Sequence, residues 1–192
     1  MKINSVNNLN FNAKFIDKVS VLKQNENNEF KPCDANFVEF DLYDRKDMAK
    51  ISEICSSDEF DSFGCDLIWD VAFLDCFDKA NYNKKRCFAL TQGTETNFEN
   101  IDKDKVLGIC TVYENKSKDK PNCISYFMTS NAYRGKYTRG KEYSRVGTGL
   151  ANALKSHYPE KSFTCYSVPE SVNFWRKQDF KITEGALMTY EA

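Results

Sequence analysis

Histidine is almost missing from this chain: His157 is the only one in 192 residues. The eight cysteines (Cys33, Cys55, Cys65, Cys76, Cys87, Cys110, Cys123 and Cys165) contain no Cys-x-x-Cys pair, and none lies near His157. Zinc-ligand spacing is therefore absent, and no metal is expected. Excess charge is missing too. Twenty-seven Lys and Arg stand against 28 Asp and Glu, a net charge of −1. No global field recruits nucleic acid or an anionic membrane, so neither is expected as a partner. No apolar run approaches the roughly 20 residues that span a bilayer. The start, MKINSVNNLNFNAKF, lacks the apolar stretch of a secretory signal. The expectation is a soluble, cytoplasmic protein whose cysteines are reduced and packed as small hydrophobes.

What is present is an aromatic-rich interior, with fifteen Phe and ten Tyr, and enough chain for one domain. Eight asparagines fall within the first 28 residues, and residues 1–35 read as an extension partly ordered against a domain at 36–192. Within that extension Phe11–Leu22 has strand character, followed by a polar turn at Gln24–Asn28. From Asn36 the periodicities predict a strand over Phe37–Leu42, a helix over Tyr43–Ile54 opened by Asp44, and an acidic loop. A helix over Gly64–Tyr82 follows, with Leu67, Val71 and Leu74 at helical spacing. Three strands come next, Arg86–Gln92, Lys105–Glu114 and Cys123–Ser130, able to form an antiparallel meander. A helix over Thr148–His157, a strand over Phe163–Ser167, a short helix over Pro169–Gln178 and a hairpin around Glu184-Gly185 complete the chain. The fold class is α/β: a mixed, mostly antiparallel sheet flanked by helices.

The most informative run is Ser144-Arg145-Val146-Gly147-Thr148-Gly149-Leu150. Two glycines one residue apart, where a helix opens, expose backbone N–H groups beside the positive end of a helix dipole. A phosphate suits that site. Five cations (Arg134, Lys136, Arg139, Lys141 and Arg145) against the single acid Glu142 give the same neighbourhood a basic cast.

Two pieces of sequence resemble the GNAT superfamily of acyl-CoA N-acyltransferases over about residues 36–192. The first is Ile124–Ser130, then Tyr133-Arg134-Gly135, then Ser144–Leu150. The family pattern there is Arg/Gln-x-x-Gly-x-Gly/Ala. The second is Ser171-Val172-Asn173-Phe174-Trp175-Arg176-Lys177-Gln178-Asp179-Phe180, beside the family's A-x-x-F-Y-x-K-x-G-F. This chain departs from the patterns at Ser144, where Arg or Gln is usual, and at Trp175, where many members carry a tyrosine acid. It departs again at Asp179, usually glycine, at Val168, often asparagine, and in an insertion over Lys136–Ser144.

The resemblance implies a GNAT-like fold, with acetyl-CoA as acyl donor and direct attack by an amine. It implies that Arg145, Val146, Gly147, Thr148, Gly149 and Leu150 hold the pyrophosphate. The backbone of Phe127, Met128 and Thr129 would pair with the pantetheine arm along a strand splayed from its neighbour. Trp175 would wall the acyl pocket, and Tyr126 or Tyr166 would act as acid. Glu114 is a candidate proton relay, and His157 is expected to be a surface or capping residue. Between Glu53 and Asp78 there are eight acids and no Lys or Arg, an acidic rim suited to a cationic acceptor amine, small or peptidyl. The chain is expected to be a monomer or homodimer. Two rivals stand beside this reading: a catalytically degenerate CoA-binding module, and a nucleotide-phosphate binder unrelated to CoA.

Overall fold

Alternating polarity and a few well-placed caps account for most of the architecture. The computed structural model describes residues 13–58, 60, 67–68, 82–133 and 142–192. Strands β1 (Lys14–Gln24) and β2 (Phe30–Phe40) form a long hairpin, followed by α1 (Arg45–Cys55). Strands β3 (Tyr82–Gln92), β4 (Val106–Asn115) and β5 (Asn122–Thr129) form the expected antiparallel meander. Then come β6 (Tyr143–Ser144), α2 (Val146–His157), β7 (Phe163–Tyr166), a 3-10 turn (Pro169–Ser171) leading into α3 (Val172–Arg176), and the hairpin β8 (Lys181–Glu184) and β9 (Leu187–Tyr190). The sheet order is β6-β1-β2-β3-β4-β5-β7-β9-β8. Among the described residues, only the β5–β7 pair is parallel. The mixed, mostly antiparallel sheet with flanking helices is the one expected from the sequence.

Period-2 alternation divides the buried residues into two layers. Ala35, Phe37, Phe88 and Leu90 face α2 and α3, together with Val146, Leu150, Leu154 and Trp175. Val38, Phe40, Cys87 and Ala89 face the opposite layer with Ile51 and Ile54 of α1. Helix α1 starts where Asp44 predicts: its carboxylate accepts the N–H groups of Lys46 and Asp47 at 2.8 and 3.1 Å. Such a cap contributes about 1 kcal/mol. The turn after β3 is fixed from within. Buried Glu95 accepts the N–H groups of Thr96, Asn97 and Asp102, and its own C=O accepts from buried Asn36 Nδ2 at 2.8 Å.

Three differences from expectation have physical reasons. Strand β2 begins at Phe30, not Phe37, and runs through position 35, because pairing with β1 from Lys14 to Gln24 holds its exposed first half in the sheet. Strand β6 was not anticipated; two residues are too short to show a period. The helix expected over Pro169–Gln178 divides into a 3-10 turn and five α-helical residues. Asp179 at φ 66° then turns the chain away. Of the helix expected over Gly64–Tyr82, Leu67 and Ile68 are helical and Tyr82 belongs to β3; the rest lies outside the described residues. Cys33, Cys110 and Cys165 are free thiols. Burial pushes the Cys165 thiol up to about 12, where it is inert. No helix among the described residues is long and apolar enough to cross a membrane.

Candidate cofactor cradle and active site

The glycine turn is pinned before the helix begins. Tyr143 and Ser144 pair with Lys23 and Leu22 of β1. Lys23 Nζ sits 3.0 Å from Glu142, and Gln24 N–H donates to Glu142 C=O at 2.7 Å. Arg145 then adopts the left-handed conformation, φ 57° and ψ 22°, uncommon for a residue with a Cβ. A left-handed residue followed by helical ones makes successive N–H groups converge into an anion-binding concavity. Gly149 N–H already bonds Arg145 C=O at 2.9 Å. The N–H groups of Val146, Gly147 and Thr148 are therefore the ones the helix leaves over. The Arg145 side chain does not cap them, and no acid lies in the first turn.

The two glycines serve different ends. A Cβ on Gly149 would lie 2.9 Å from Val21 Cγ1 and 3.4 Å from Ser20 C=O, so Gly149 exists to bring α2 against β1. Its N–H is committed to the helix, and Leu150, one residue deeper, is fully buried. Both support the cradle by packing. A Cβ on Gly147 would lie 3.1 Å from the Phe174 ring and 3.6 Å from Thr129 Cγ2. Gly147 thus borders the end of β5, with the Phe174 ring seated against it.

Beside it the sheet parts. The parallel pairing of β5 and β7 stops at Ile124↔Cys165, while β5 runs on to Thr129 against β4. A register shift in β5 between Ile124 and Tyr126 marks the point of parting. Ser130 N–H donates to Leu107 C=O, which sets the phase of the β4–β5 ladder. By the alternation of antiparallel bonding, Phe127 and Thr129 turn their N–H and C=O away from β4 into the opening. Met128 turns its backbone to β4 instead, with its side chain buried in the α1 layer. Of the three residues expected to pair with an extended ligand, two face the opening and the third holds the strand.

Tyr126 and Tyr166 flank this opening on the α1 face. Tyr126 packs partly buried against the α1 layer, and Tyr166, 75% exposed, is the first β7 residue beyond the last β5–β7 pair. Trp175 lies on the other face, 4% exposed, with its ring 4.9 Å from Phe127 and 4.8 Å from Phe180. It forms the floor behind Phe127 and does not reach the opening itself. Asp179 takes the left-handed conformation that the family's glycine would favour.

Glu114 and His157 stand elsewhere. Glu114 lies six residues along β4 from Gly108, about 20 Å by strand rise. There it accepts from Arg86 Nε at 2.5 Å and from Tyr158 Oη at 2.7 Å, while Arg86 also pairs with Glu39. His157 ends α2, about 16 Å from Val146 by helix rise. It packs edge-on against Phe88 and Tyr158, and burial lowers its pKa. It is a half-buried, neutral packing residue; the expected surface or capping role is replaced because α2 lays its last turn on the sheet. The network docks the far end of α2.

Asp58 of the acidic segment is tied to the end of β5. Asn131, just past β5, donates from Nδ2 to Asp58 C=O at 3.1 Å. Glu59, Asp61 and the acids of 66–78 lie outside the described residues, as do Arg134, Lys136, Arg139 and Lys141 of the basic stretch; Arg145 is exposed at the cradle. Sequence reasoning missed the β6 pairing, the Asn131–Asp58 link, the seating of Phe174 on Gly147, and a bond from Gln178 to Thr148. None of these had a local signal: each joins residues far apart in the chain, and Gln178 stands among the charged residues Arg176, Lys177 and Asp179.

No protein-family model matches the chain, and no curated protein matches it in sequence. Solved structures resemble it distantly. Escherichia coli ElaA is 11% identical with a TM-score of 0.45, over 81% of this chain and 97% of that one. The Bacillus subtilis N-acetyltransferase YlbP, solved in complex with Coenzyme-A, is 13% identical with a TM-score of 0.44, over 82% and 97%. The order of elements, the parallel β5–β7 pair that parts after Ile124, and the glycine turn opening α2 are the arrangement that the resemblance to the GNAT superfamily implies.

Proposed function

We propose that the chain is an acyl-CoA-dependent N-acyltransferase that moves an acetyl group from acetyl-CoA to a cationic primary amine. The observation that carries this reading is the junction of cradle and opening. Three N–H groups without a helical partner, at Val146–Thr148, adjoin, across Gly147, a strand whose Phe127 and Thr129 backbone groups face a parted sheet. A diphosphate on an extended amide-bearing arm fits both halves; a bare nucleotide uses only the first. Arg145 supplies charge to the phosphates.

Acetyl-CoA, when bound, brings an activated acyl carbon to the opening. The residues position it and the amine, and placement supplies much of the acceleration. The acidic segment around Asp58 draws in the cationic amine, which gives one proton to solvent before its lone pair attacks the acyl carbon. The C–N bond forms and the C–S bond breaks; the departing thiolate takes a proton from a phenol, Tyr166 or Tyr126, and the remaining extra proton on the acylated nitrogen restores that phenol. Trp175, with an indole N–H that is no acid near neutral pH, has no proton to give.

The test is CoA release from acetyl-CoA over a panel of polyamines, amino sugars and lysine-type amines. Release with a cationic amine supports the reading. CoA binding without release for every amine supports the degenerate-module reading, which the buried Trp175 favours. Absence of both binding and release rejects the two together.

A further inference from the structure

Gln178 is buried where its chain neighbours Lys177 and Asp179 are exposed. It is 5% exposed, and it lies along α2, held at two points. Its backbone C=O accepts from Lys155 Nζ at 2.6 Å. The Lys155 ammonium is itself fixed, 3.5 Å from Asp179 and 4.1 Å from the centre of the Tyr190 ring. At its other end, Gln178 Nε2 donates to Thr148 Oγ1 at 3.3 Å. Thr148 and Lys155 are seven residues apart, two turns along one face of α2. The segment after α3 is thus strapped to the cradle helix, and the strap ends on a cradle residue.

The direction of that last bond matters. A threonine hydroxyl has one hydrogen and two lone pairs. The Gln178 amide takes a lone pair, which leaves the hydroxyl hydrogen to be given elsewhere. Thr148 is the third residue of α2, and its backbone N–H is one of the three that face an incoming anion. We propose that the Thr148 hydroxyl donates to the bound phosphate and that Gln178 is the positioning residue that orients it. The inference rests on the CoA reading only for the source of the phosphate. Thr148 then presents two donors, N–H and O–H, to one anion, and the C-terminal segment senses and stabilises the occupied cradle through Gln178.

Calorimetric titration of CoA into the wild-type chain and into Thr148→Val, Thr148→Ser, Gln178→Met and Thr148→Val/Gln178→Met tests this, with melting of each unliganded variant as the control for folding. Loss of a hydrogen bond to a charged group predicts CoA binding weaker by about tenfold or more in Thr148→Val. Thr148→Ser should bind within a few fold of wild type. Gln178→Met should weaken CoA, and the double variant should be no weaker than Thr148→Val alone, since Gln178 acts through the hydroxyl. Wild-type affinity in Thr148→Val, or additive losses in the double variant, overturns the inference. Inorganic pyrophosphate is the second probe. If CoA does not bind but pyrophosphate does, and weakens in Thr148→Val, the CoA reading falls and the Thr148 assignment stands. If neither binds the wild type, both fall.

Discussion

Gly149→Ala and Gly147→Ala separate the two glycines of the turn. In a helix, Gly to Ala gains about 1 kcal/mol of intrinsic stability. At Gly149 the new Cβ meets Val21 Cγ1 at 2.9 Å, well inside the roughly 3.5–4.0 Å optimum for carbon contacts. Val21 is 1% exposed, its β-branched χ1 is stiff, and the next neighbour is the backbone oxygen of Ser20 at 3.4 Å. Relief requires α2 to lift from β1, an overpacking cost of about 1–3 kcal/mol. The net expectation is a loss of about 1 kcal/mol, or a melting temperature lower by about 2–4 °C for a domain of this size. At Gly147 the new Cβ meets the Phe174 ring, a partly exposed side chain that can shift. Stability should stay level or rise by up to about 1 kcal/mol. CoA affinity should nevertheless fall about tenfold, because the methyl intrudes where the cradle meets the end of β5. Urea unfolding and calorimetric titration read both quantities. A stabilised Gly149→Ala, or a Gly147→Ala that binds CoA as well as wild type, refutes the assigned division of labour.

Asp47 gives a pH signature: burial first, with Asp44 and Asp41 adding, pushes its carboxyl up to about 6 against the pull of the Asp41 N–H. The folded chain then holds a proton more tightly than the unfolded one, so stability falls as pH rises from about 4 to 6. Asp47→Asn should remove that fall and raise stability at neutral pH by about 1–3 kcal/mol, measured by urea unfolding across pH. Glu95 behaves in the opposite sense. Burial opposes its charge, but N–H groups from Asn97, Asp102 and Thr96, with Lys105, hold its carboxyl below the usual range. Its contribution is present at neutral pH and lost as pH falls below the ordinary carboxylate range, and Glu95→Gln should cost about 1–3 kcal/mol at pH 7 and flatten the acid limb. Replacing Asp58, Glu59 and Asp61 by their amides should raise KM for a cationic amine at low salt and leave a neutral amine unaffected. Tyr166→Phe or Tyr126→Phe should lower kcat about a hundredfold, whichever supplies the proton, with KM for acetyl-CoA unchanged.

The elements that are specified locally were legible. Asp44 announces α1 because a carboxylate cap needs only its next three residues. The meander is legible because Arg86–Gln92, Lys105–Glu114 and Cys123–Ser130 are each short, largely apolar runs separated by polar turns. The first half of β2 was not, because Phe30–Ala35 is mostly exposed and becomes a strand only through its partner β1. The cradle was legible since it is backbone chemistry, written in two glycines; its narrowing to Val146–Thr148 needed the Gly149–Arg145 bond. The roles of Met128 and Trp175 turned on strand phase and helix rotation, which one sequence leaves open. The Gln178–Thr148 strap joins residues thirty apart, with no pattern to reveal the pair.

The central claim is that the cradle and the parted sheet together take CoA. Thermal melting with saturating CoA, acetyl-CoA, ATP and pyrophosphate tests it most directly. A ligand at about 100 times its Kd that binds only the folded state adds about 2.7 kcal/mol. The account predicts stabilisation of that order by CoA and acetyl-CoA, with ATP and pyrophosphate much weaker, because they fill the cradle and have no arm to lie along Phe127–Thr129. Equal stabilisation by ATP and CoA, or none by either CoA species, contradicts it.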